Sequence, residues 1–439
     1  MASKSKFQAI RGTRDLLPPE TALWNRVEET ARQVFATFGF GEIRPPVLEA
    51  TELFARAVGS DTDIVSKEMY TFLDRDESST SLRPEATASV CRAYIEHGMQ
   101  QLPQPVKLYY LGPMFRRERP QKGRYRQFYQ IGAEVLEAVR PDAGKQDPAK
   151  EMRKDATVDA EVIEMVMTFF GRLELPGVEL DINSIGHAAD NCRRGYVALL
   201  KSALEKVKDK LGADSQRRIE TNPLRVLDSK LEHEQPIIET LPRMADHLCE
   251  ECKAHYAAVK RQLEMRGVLY RENWRLVRGL DYYMRTTFEI TAQGLGSQNA
   301  VCGGGRYDGL VELLGGSPAR GIGFAIGEDR LMLSLEEAGK VPAAAGRDVY
   351  IAWIGEHAHA TAIRAAKDLR NAGFSVELPP VEQKFGKALE RASKLNSRYA
   401  LILGDNEVAE GSWTLKTLAD GMQQRFTEPE LLDFLKRQH

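Results

Sequence analysis

The sequence predicts an α+β domain built on an antiparallel sheet, opened by a helical insertion and followed by a C-terminal α/β domain. Three observations carry this reading. Residues 106–111 and 130–136 read as strands joined by a basic loop centred on Pro120 and Gly123, so they form a long antiparallel pair. Residues 187–265 are helix-rich, dominated by Lys, Glu and Leu. From Asp348 onward, strands at 349–354, 374–378 and 399–403 alternate with helices at 357–372 and 384–396, the rhythm of a small α/β unit.

The remaining elements follow in order. Leu23, Val27, Val34, Phe35 and Phe38 recur at near-helical spacing, so residues 20–38 form an amphipathic helix that Gly39 and Gly41 end. Residues 43–48 then read as a strand entered through Pro45 and Pro46. The polar segment 140–155 reads as a loop, and a helix resumes over 159–170. A strand at 178–182 precedes the helical region; strand and turn chemistry returns at 274–283, 287–291 and 300–302. Residues 321–327 read as a strand feeding a helix near Glu328. The organisation is therefore a first domain in two parts, 1–186 and 266–335, an insertion at 187–265, a linker at 336–346 and a final domain at 347–439.

Bulk properties narrow the function classes. No stretch approaches the roughly 18 consecutive apolar residues that span a bilayer, and the N-terminus lacks the apolar core of a signal peptide. Five cysteines in 439 residues argue for reduced thiols, and a cytoplasmic protein without membrane partners is expected. A net charge of −2 announces no global nucleic-acid binder, but phosphate attraction depends on local patches. One exists: Arg116, Arg117, Arg119, Lys122, Arg124 and Arg126 face the single acid Glu118.

Four segments concentrate chemistry. In Leu82-Arg-Pro-Glu85-Ala-Thr87, a carboxylate and a hydroxyl two residues apart share one face of an extended chain and suit an ammonium ion; the plainer reading is a turn with a helix cap at Thr87. Arg116 stands at a strand end, where a guanidinium can be held for bidentate phosphate binding. Gln130 and Glu134 lie four apart on the returning strand, hence on one sheet face, and a buried acid there needs partners. Arg278-Gly-Leu-Asp-Tyr-Tyr283 offers a fixed cation beside phenols, and Gly303-Gly-Gly-Arg-Tyr307-Asp-Gly with 321–327 and Arg330 lets a ligand approach backbone. This is neither a P-loop nor a dinucleotide fingerprint.

Together these segments resemble the class II aminoacyl-tRNA synthetases. Residues 112–134 are similar to the family's motif 2, 321–333 to motif 3 and 40–49 with the preceding helix to motif 1. The pair RGLDYY and GGGRYDGL resembles the two signature peptides of the histidyl-tRNA synthetases, and residues 369–373 and 402–407 resemble that family's anticodon-binding domain. Ala86, Met284 and Tyr129 depart from the family's usual residues without removing a named contact.

The resemblance implies histidine, ATP and a histidine tRNA as substrates, Mg²⁺ accompanying ATP, and a homodimer. It implies that Glu85, Thr87 and Gln130 hold the α-ammonium of histidine, that Glu134 and Tyr283 read its imidazole, and that Tyr307 lines the pocket. Arg116 would contact the α-phosphate, Arg124 and Arg330 the outer phosphates, and Arg278 would stabilise charge during attack. Arg119 and Gln121 fall where the family meets the tRNA acceptor end. The alternative is a non-catalytic, histidine-sensing regulatory paralogue of ATP phosphoribosyltransferase, which lacks the C-terminal domain. No metal site is assigned: Cys249-Glu-Glu-Cys252 with His247 and His255 has partial zinc spacing, but it reads as helix and no second cysteine pair follows.

Overall fold

The structure, a computed structural model, describes residues 7–59, 62–139, 147–280, 282–293, 299–342 and 346–438. It divides into two compact units: residues 23–341 with the segment up to Leu17, and residues 342–439 with Pro18–Ala22.

In the first unit the chain forms α1 (Glu20–Thr37), β1 (Gly41–Glu42), β2 (Leu48–Ala50), α2 (Thr51–Val58), β3 (Tyr70–Leu73), β4 (Ser79–Leu82), α3 (Thr87–Glu96), β5 (Val106–Phe115) and β6 (Gln127–Ala138). It continues through α4 (Pro148–Arg172), β7 (Glu179–Ser184), α5 (Arg193–Glu205), α6 (Ala213–Thr221), α7 (Gln235–Ile238), α8 (Glu250–Met265), β8 (Arg271–Glu272), β9 (Met284–Thr291), β10 (Ala300–Arg306), α9 (Leu310–Leu313), β11 (Ala319–Gly327) and α10 (Glu328–Glu337). Eight strands make one sheet in the order β1-β5-β6-β11-β10-β9-β7-β8, antiparallel except for the edge pairs β1–β5 and β7–β8. A small sheet of order β2-β4-β3 lies apart from it in the topology.

Period-two alternation divides the large sheet into a core face and a site face. On β6, Ile131, Ala133 and Val135 join α1, α4 and α8 in the main core, with Ile322, Phe324 and Ile326 of β11 beside them. Gln130, Gly132 and Glu134 therefore point the other way, toward α3 and the tyrosines of a second core. In α1 the predicted apolar stripe is buried from Leu23 to Phe35, with Trp24 and Ala31 completing it; the helix ends at Thr37, and Phe38 beyond it is half-buried.

Three readings need correction. Residues 43–47 are not a strand: the two prolines carry no N–H for a ladder, and the Pro45 carbonyl accepts instead from Arg83 Nη1 at 2.7 Å. Phe40, at the start of the motif 1-like stretch, is buried in the main core. The described part of the polar 140–155 segment is the start of α4: Asp147 caps it by accepting from the Ala149 N–H, with Pro148 in the first turn. Residues 140–146 lie outside the described residues, as do Asp281 and 343–345. Among the described residues of 274–283 none lies in a strand; the turn chemistry expected there is present at Trp274–Arg275.

The insertion packs its own core, in which Tyr196, Leu200 and Leu204 of α5 meet Ile219, Val226, Ile238 and Leu248.

The second unit comprises β12 (Val349–Ile354), α11 (Glu356–Asn371), β13 (Val376–Glu377), α12 (Phe385–Lys394), β14 (Tyr399–Gly404), α13 (Asp405–Ala409), β15 (Trp413–Thr417), β16 (Gln423–Phe426) and α14 (Glu428–Gln438). Its sheet order is β13-β12-β14-β15-β16; the three parallel strands are those the α/β rhythm indicated, and the antiparallel β15–β16 pair was not foreseen.

Candidate active site

Residues 82–87 turn from β4 into α3 and bury their polar groups. Arg83 donates from Nε to the Pro113 carbonyl at 2.9 Å, tying this turn to β5. Glu85, 3% exposed, accepts from the N–H groups of Thr87 and Ala88 at 2.7 and 3.0 Å, so the carboxylate caps α3 and not the Thr87 hydroxyl. Burial holds its acidity weaker than an ordinary carboxyl's. Two further acceptor positions remain on such a carboxylate for a ligand.

The Thr87 hydroxyl is turned instead to Glu134, donating to Oε1 at 2.6 Å, while the Tyr307 hydroxyl donates to Oε2 at 2.5 Å. Glu134 is 1% exposed, and burial pushes its pKa up to about 8 against the pull of these two donors. The tyrosines pack beside it, Tyr282 tilted on Tyr283 at 4.7 Å and edge-on to Tyr307 at 5.7 Å between ring centroids. Gln130, on the same face of β6, is buried, and its Oε1 has no hydrogen-bond partner among the described residues. A buried acceptor left open in this way costs free energy until a donor arrives.

Glycines make the room. A Cβ at Gly323 would fall 1.7 Å from Glu134 Oε2, one at Gly321 2.2 Å from the Tyr307 ring, and one at Gly303 1.9 Å from Arg278 Nη2. The glycine runs of β10 and β11 are thus the floor on which functional side chains lie, which is why neither matches a phosphate-loop pattern.

Beside this buried cluster opens a cavity of about 300 Å³ lined by Gln130 and by Arg116, Arg124, Arg278 and Arg330. Arg116 is held by its Nε bond to the Pro84 carbonyl at 3.0 Å and by the Phe128 ring at 5.2 Å. Arg278 pairs with Glu289 at 3.0 Å, Arg124 with Glu118 at 3.4 Å, and Arg330 donates to the Ala300 carbonyl at 3.1 Å. Burial and the neighbouring Arg124 lower the Arg330 pKa, as expected where cations crowd. The lining acids are Glu118, Glu289 and Asp329, and Asp329 is already engaged by Arg14 at 3.2 Å. Four arginines against three acids leave a pocket suited to an anion.

A family model described as "Histidyl-tRNA synthetase" matches residues 12–331, and one described as "Anticodon binding domain" matches 348–438. The chain belongs to the histidyl-tRNA synthetase family. Among its relatives, the histidine–tRNA ligase of Solibacter usitatus is 54% identical over 97% of this chain and 98% of that protein. That of Koribacter versatilis is 52% identical over 98% of this chain and 96% of that protein. The solved apo histidyl-tRNA synthetase of S. aureus is 35% identical, with a TM-score of 0.78 over 98% of this chain and 100% of that one.

Within this member of the histidyl-tRNA synthetase family, Arg119 and Gln121 are exposed on the β5–β6 connection, outside the cavity lining. Three contributors were given no role by sequence reasoning: Arg83, Glu118 and Glu289. Glu289 carried one signal, an acid between the apolar Phe288 and Ile290 of β9. Arg306 of the second signature peptide is also buried, bonded to Asp159 at 2.6 Å and Asp308 at 2.9 Å behind the tyrosines.

Proposed function

We propose that the chain activates histidine with ATP, forming histidyl-adenylate and pyrophosphate, and then transfers histidine to the 3′ end of its tRNA. The observation that carries this reading is that Gln130, which lines the arginine-rich cavity, shares one face of β6 with Glu134, whose carboxylate Thr87 and Tyr307 hold. One compartment offers acceptors and phenols in fixed positions; the other offers cations.

Attack of a carboxylate on an α-phosphate requires positioning and charge neutralisation more than proton transfer. Glu85, Thr87 and Gln130 receive the α-ammonium, with the open Gln130 Oε1 as its foremost acceptor. Glu134 and Tyr283 read the imidazole, and Tyr307 holds Glu134 in place while lining the pocket. Arg116 takes the α-phosphate, Arg124 and Arg330 the outer phosphates, and Arg278 neutralises charge between carboxylate and phosphate. Mg²⁺ enters with ATP as part of the substrate, where it screens the phosphates; Glu118 and Glu289 are the carboxylates it would meet. Arg119 and Gln121 meet the acceptor end of the tRNA, and residues 348–438 its anticodon. The anticodon-binding match favours the ligase over a regulatory paralogue.

Two further readings belong here. The protein is a homodimer, supported by the apolar residues Leu48, Phe72 and Leu73 left 50%, 45% and 70% exposed on the small sheet. It is cytoplasmic, supported by its five unpaired cysteines; among the described residues no helix is long and apolar enough to cross a membrane. The decisive experiment is ATP–pyrophosphate exchange with each of the twenty amino acids. Exchange with histidine alone is expected; exchange with another amino acid, or with none, overturns the reading.

A further inference from the structure

Behind the site, where the insertion joins the large sheet, four metal-binding side chains converge from three places in the chain. His187 follows β7, Cys192 immediately precedes α5, and Cys249 and Cys252 stand at the start of α8. Their donor atoms all lie within 4.8 Å of one another. His187 Nδ1 is 3.1 Å from Cys252 Sγ and 3.7 Å from Cys249 Sγ. A tetrahedral zinc with Zn–S of about 2.3 Å and Zn–N of about 2.0–2.1 Å requires donor–donor edges of roughly 3.5–3.8 Å. Of the two His187–thiol separations one falls short of that spacing and the other within it, and every other donor pair lies no more than about one ångström beyond it.

We propose that His187, Cys192, Cys249 and Cys252 form a Cys₃His site for one structural zinc ion, which fastens the helical insertion to the sheet behind the tyrosine-lined pocket. The partners of the Cys249–Cys252 pair are not the nearby histidines of the sequence. His247 packs on the Tyr196 ring at 5.8 Å, and His255 is buried beside Asp159 at 3.4 Å. They come instead from about sixty residues upstream in the chain.

Three independent features fit a metal better than a chance cluster of thiols. Cys249-x₂-Cys252 spans the cap and first turn of α8, with the Cys252 N–H donating to Cys249 Sγ at 3.5 Å, so both sulfurs are presented from one helix end. Cys192 and Cys252 are 1% and 0% exposed, so two ligands are shielded, while His187 and Cys249 are only partly covered and leave an entry path. Gly186, at φ +62°, lets the chain turn to present His187; a Cβ there would lie 2.7 Å from Cys192 Sγ.

The position gives the ion a task. The loop bearing His187 is zipped to the Tyr283–Arg285 segment by Ile185 N–H to Arg285 O at 2.9 Å and Arg285 N–H to Gly186 O at 2.8 Å. Arg193, next to Cys192, donates to the Tyr283 carbonyl at 2.5 Å. A four-coordinate ion would lock α5 and α8 to this segment.

The test is metal content of the full-length chain expressed with added zinc. One equivalent of zinc is expected, and the metal-stripped protein should take up one equivalent of Co²⁺ with the thiolate-to-cobalt charge-transfer and intense visible bands of a tetrahedral thiolate site. Cys249→Ser and His187→Ala should lose the metal and unfold at lower temperature, whereas Cys91→Ser should retain it. If Cys249→Ser does not fold, the Co²⁺ spectrum of the unmutated chain and the metal content of His187→Ala decide. Metal-free protein that takes up no Co²⁺, a disulfide among the three cysteines, or full zinc content in the folded variants overturns the proposal. None of these readouts depends on ligase activity.

Discussion

Glu134 on β6 faces Gly323 on β11, and its carboxylate fills the space in which any side chain at 323 would begin. The pocket acid and the motif 3 glycine are thus one structural unit: the absent side chain on one strand is the condition for the carboxylate on its neighbour.

Gly323→Ala should therefore act on the amino-acid side of the reaction. The methyl group meets Glu134 Oε2 and also the Ala133 carbonyl at 2.6 Å, so relief requires moving the carboxylate or the backbone. Overpacking of about 1–3 kcal/mol corresponds to roughly 5- to 150-fold. Steady-state exchange kinetics should show the histidine KM raised within that range, with the ATP KM changed far less. Equal loss on both substrates would mean that the sheet itself had shifted.

Glu134 also predicts a pH effect. Burial raises its pKa to about 8, so in the ligand-free protein it carries a proton at pH 7. The unfolded chain releases that proton near the ordinary value of 4.5, so the folded state holds the extra proton between the two values. The contribution to stability is accordingly full at acidic pH and declines as pH rises toward 8. Histidine brings a positive α-ammonium that favours the ionised carboxylate, so binding should release protons near neutral pH and tighten as pH approaches 8. Calorimetric titration in two buffers of different ionisation enthalpy measures this release. Glu134→Gln should abolish it and narrow the discrimination between histidine and thiazole or pyrazole analogues. An unchanged proton count would assign the linkage to another group.

Arg278 spans the two compartments, 5.8 Å from the Tyr283 ring and paired with Glu289. Arg278→Ala should lower kcat for exchange by about 10²–10³, the scale of a lost oxyanion donor, with smaller changes in either KM. Lysine should rescue it only partly, because a point charge cannot keep both a carboxylate partner and a phosphate contact. A near-normal exchange rate in the alanine variant would remove Arg278 from the chemistry.

Arg306 is a stability residue within a signature peptide. It is 2% exposed and bonded to Asp159, itself fully buried, as well as to Asp308. Arg306→Met leaves those acids without their cation and should cost about 3–5 kcal/mol in denaturant unfolding. A loss below 1 kcal/mol, by contrast, would mean that the acids take up protons at little cost.

The homodimer can be weighed directly. Sedimentation equilibrium at assay concentrations should give twice the chain mass, and a charged residue at Leu73 should weaken association. A fully active monomer would reject the dimer and leave the exposed small sheet without a partner.

What the sequence determined by itself was the strongly periodic part of the fold; the local readings at 43–47 and 147–155 gave way to proline and helix-cap chemistry. The α1 stripe, the β5–β6 pair and the parallel part of the C-terminal sheet were legible because side-chain spacing repeats with the element that carries it. Gln130 and Glu134 could be put on one face from their separation alone. Tertiary structure decided which groups meet across the chain. Local reading paired Glu85 with Thr87 as ligand groups; the fold also makes Glu85 the α3 cap and gives the Thr87 hydroxyl a partner in Glu134, 47 residues away. It paired Cys249 and Cys252 with their nearest histidines, whereas α8 carries His255 toward Asp159 and the loop after β7 brings His187 and Cys192 to the thiols. In both cases the reason is the same: a helix or turn fixes where its own side chains point, but the partner is chosen by packing between elements, which no local spacing records.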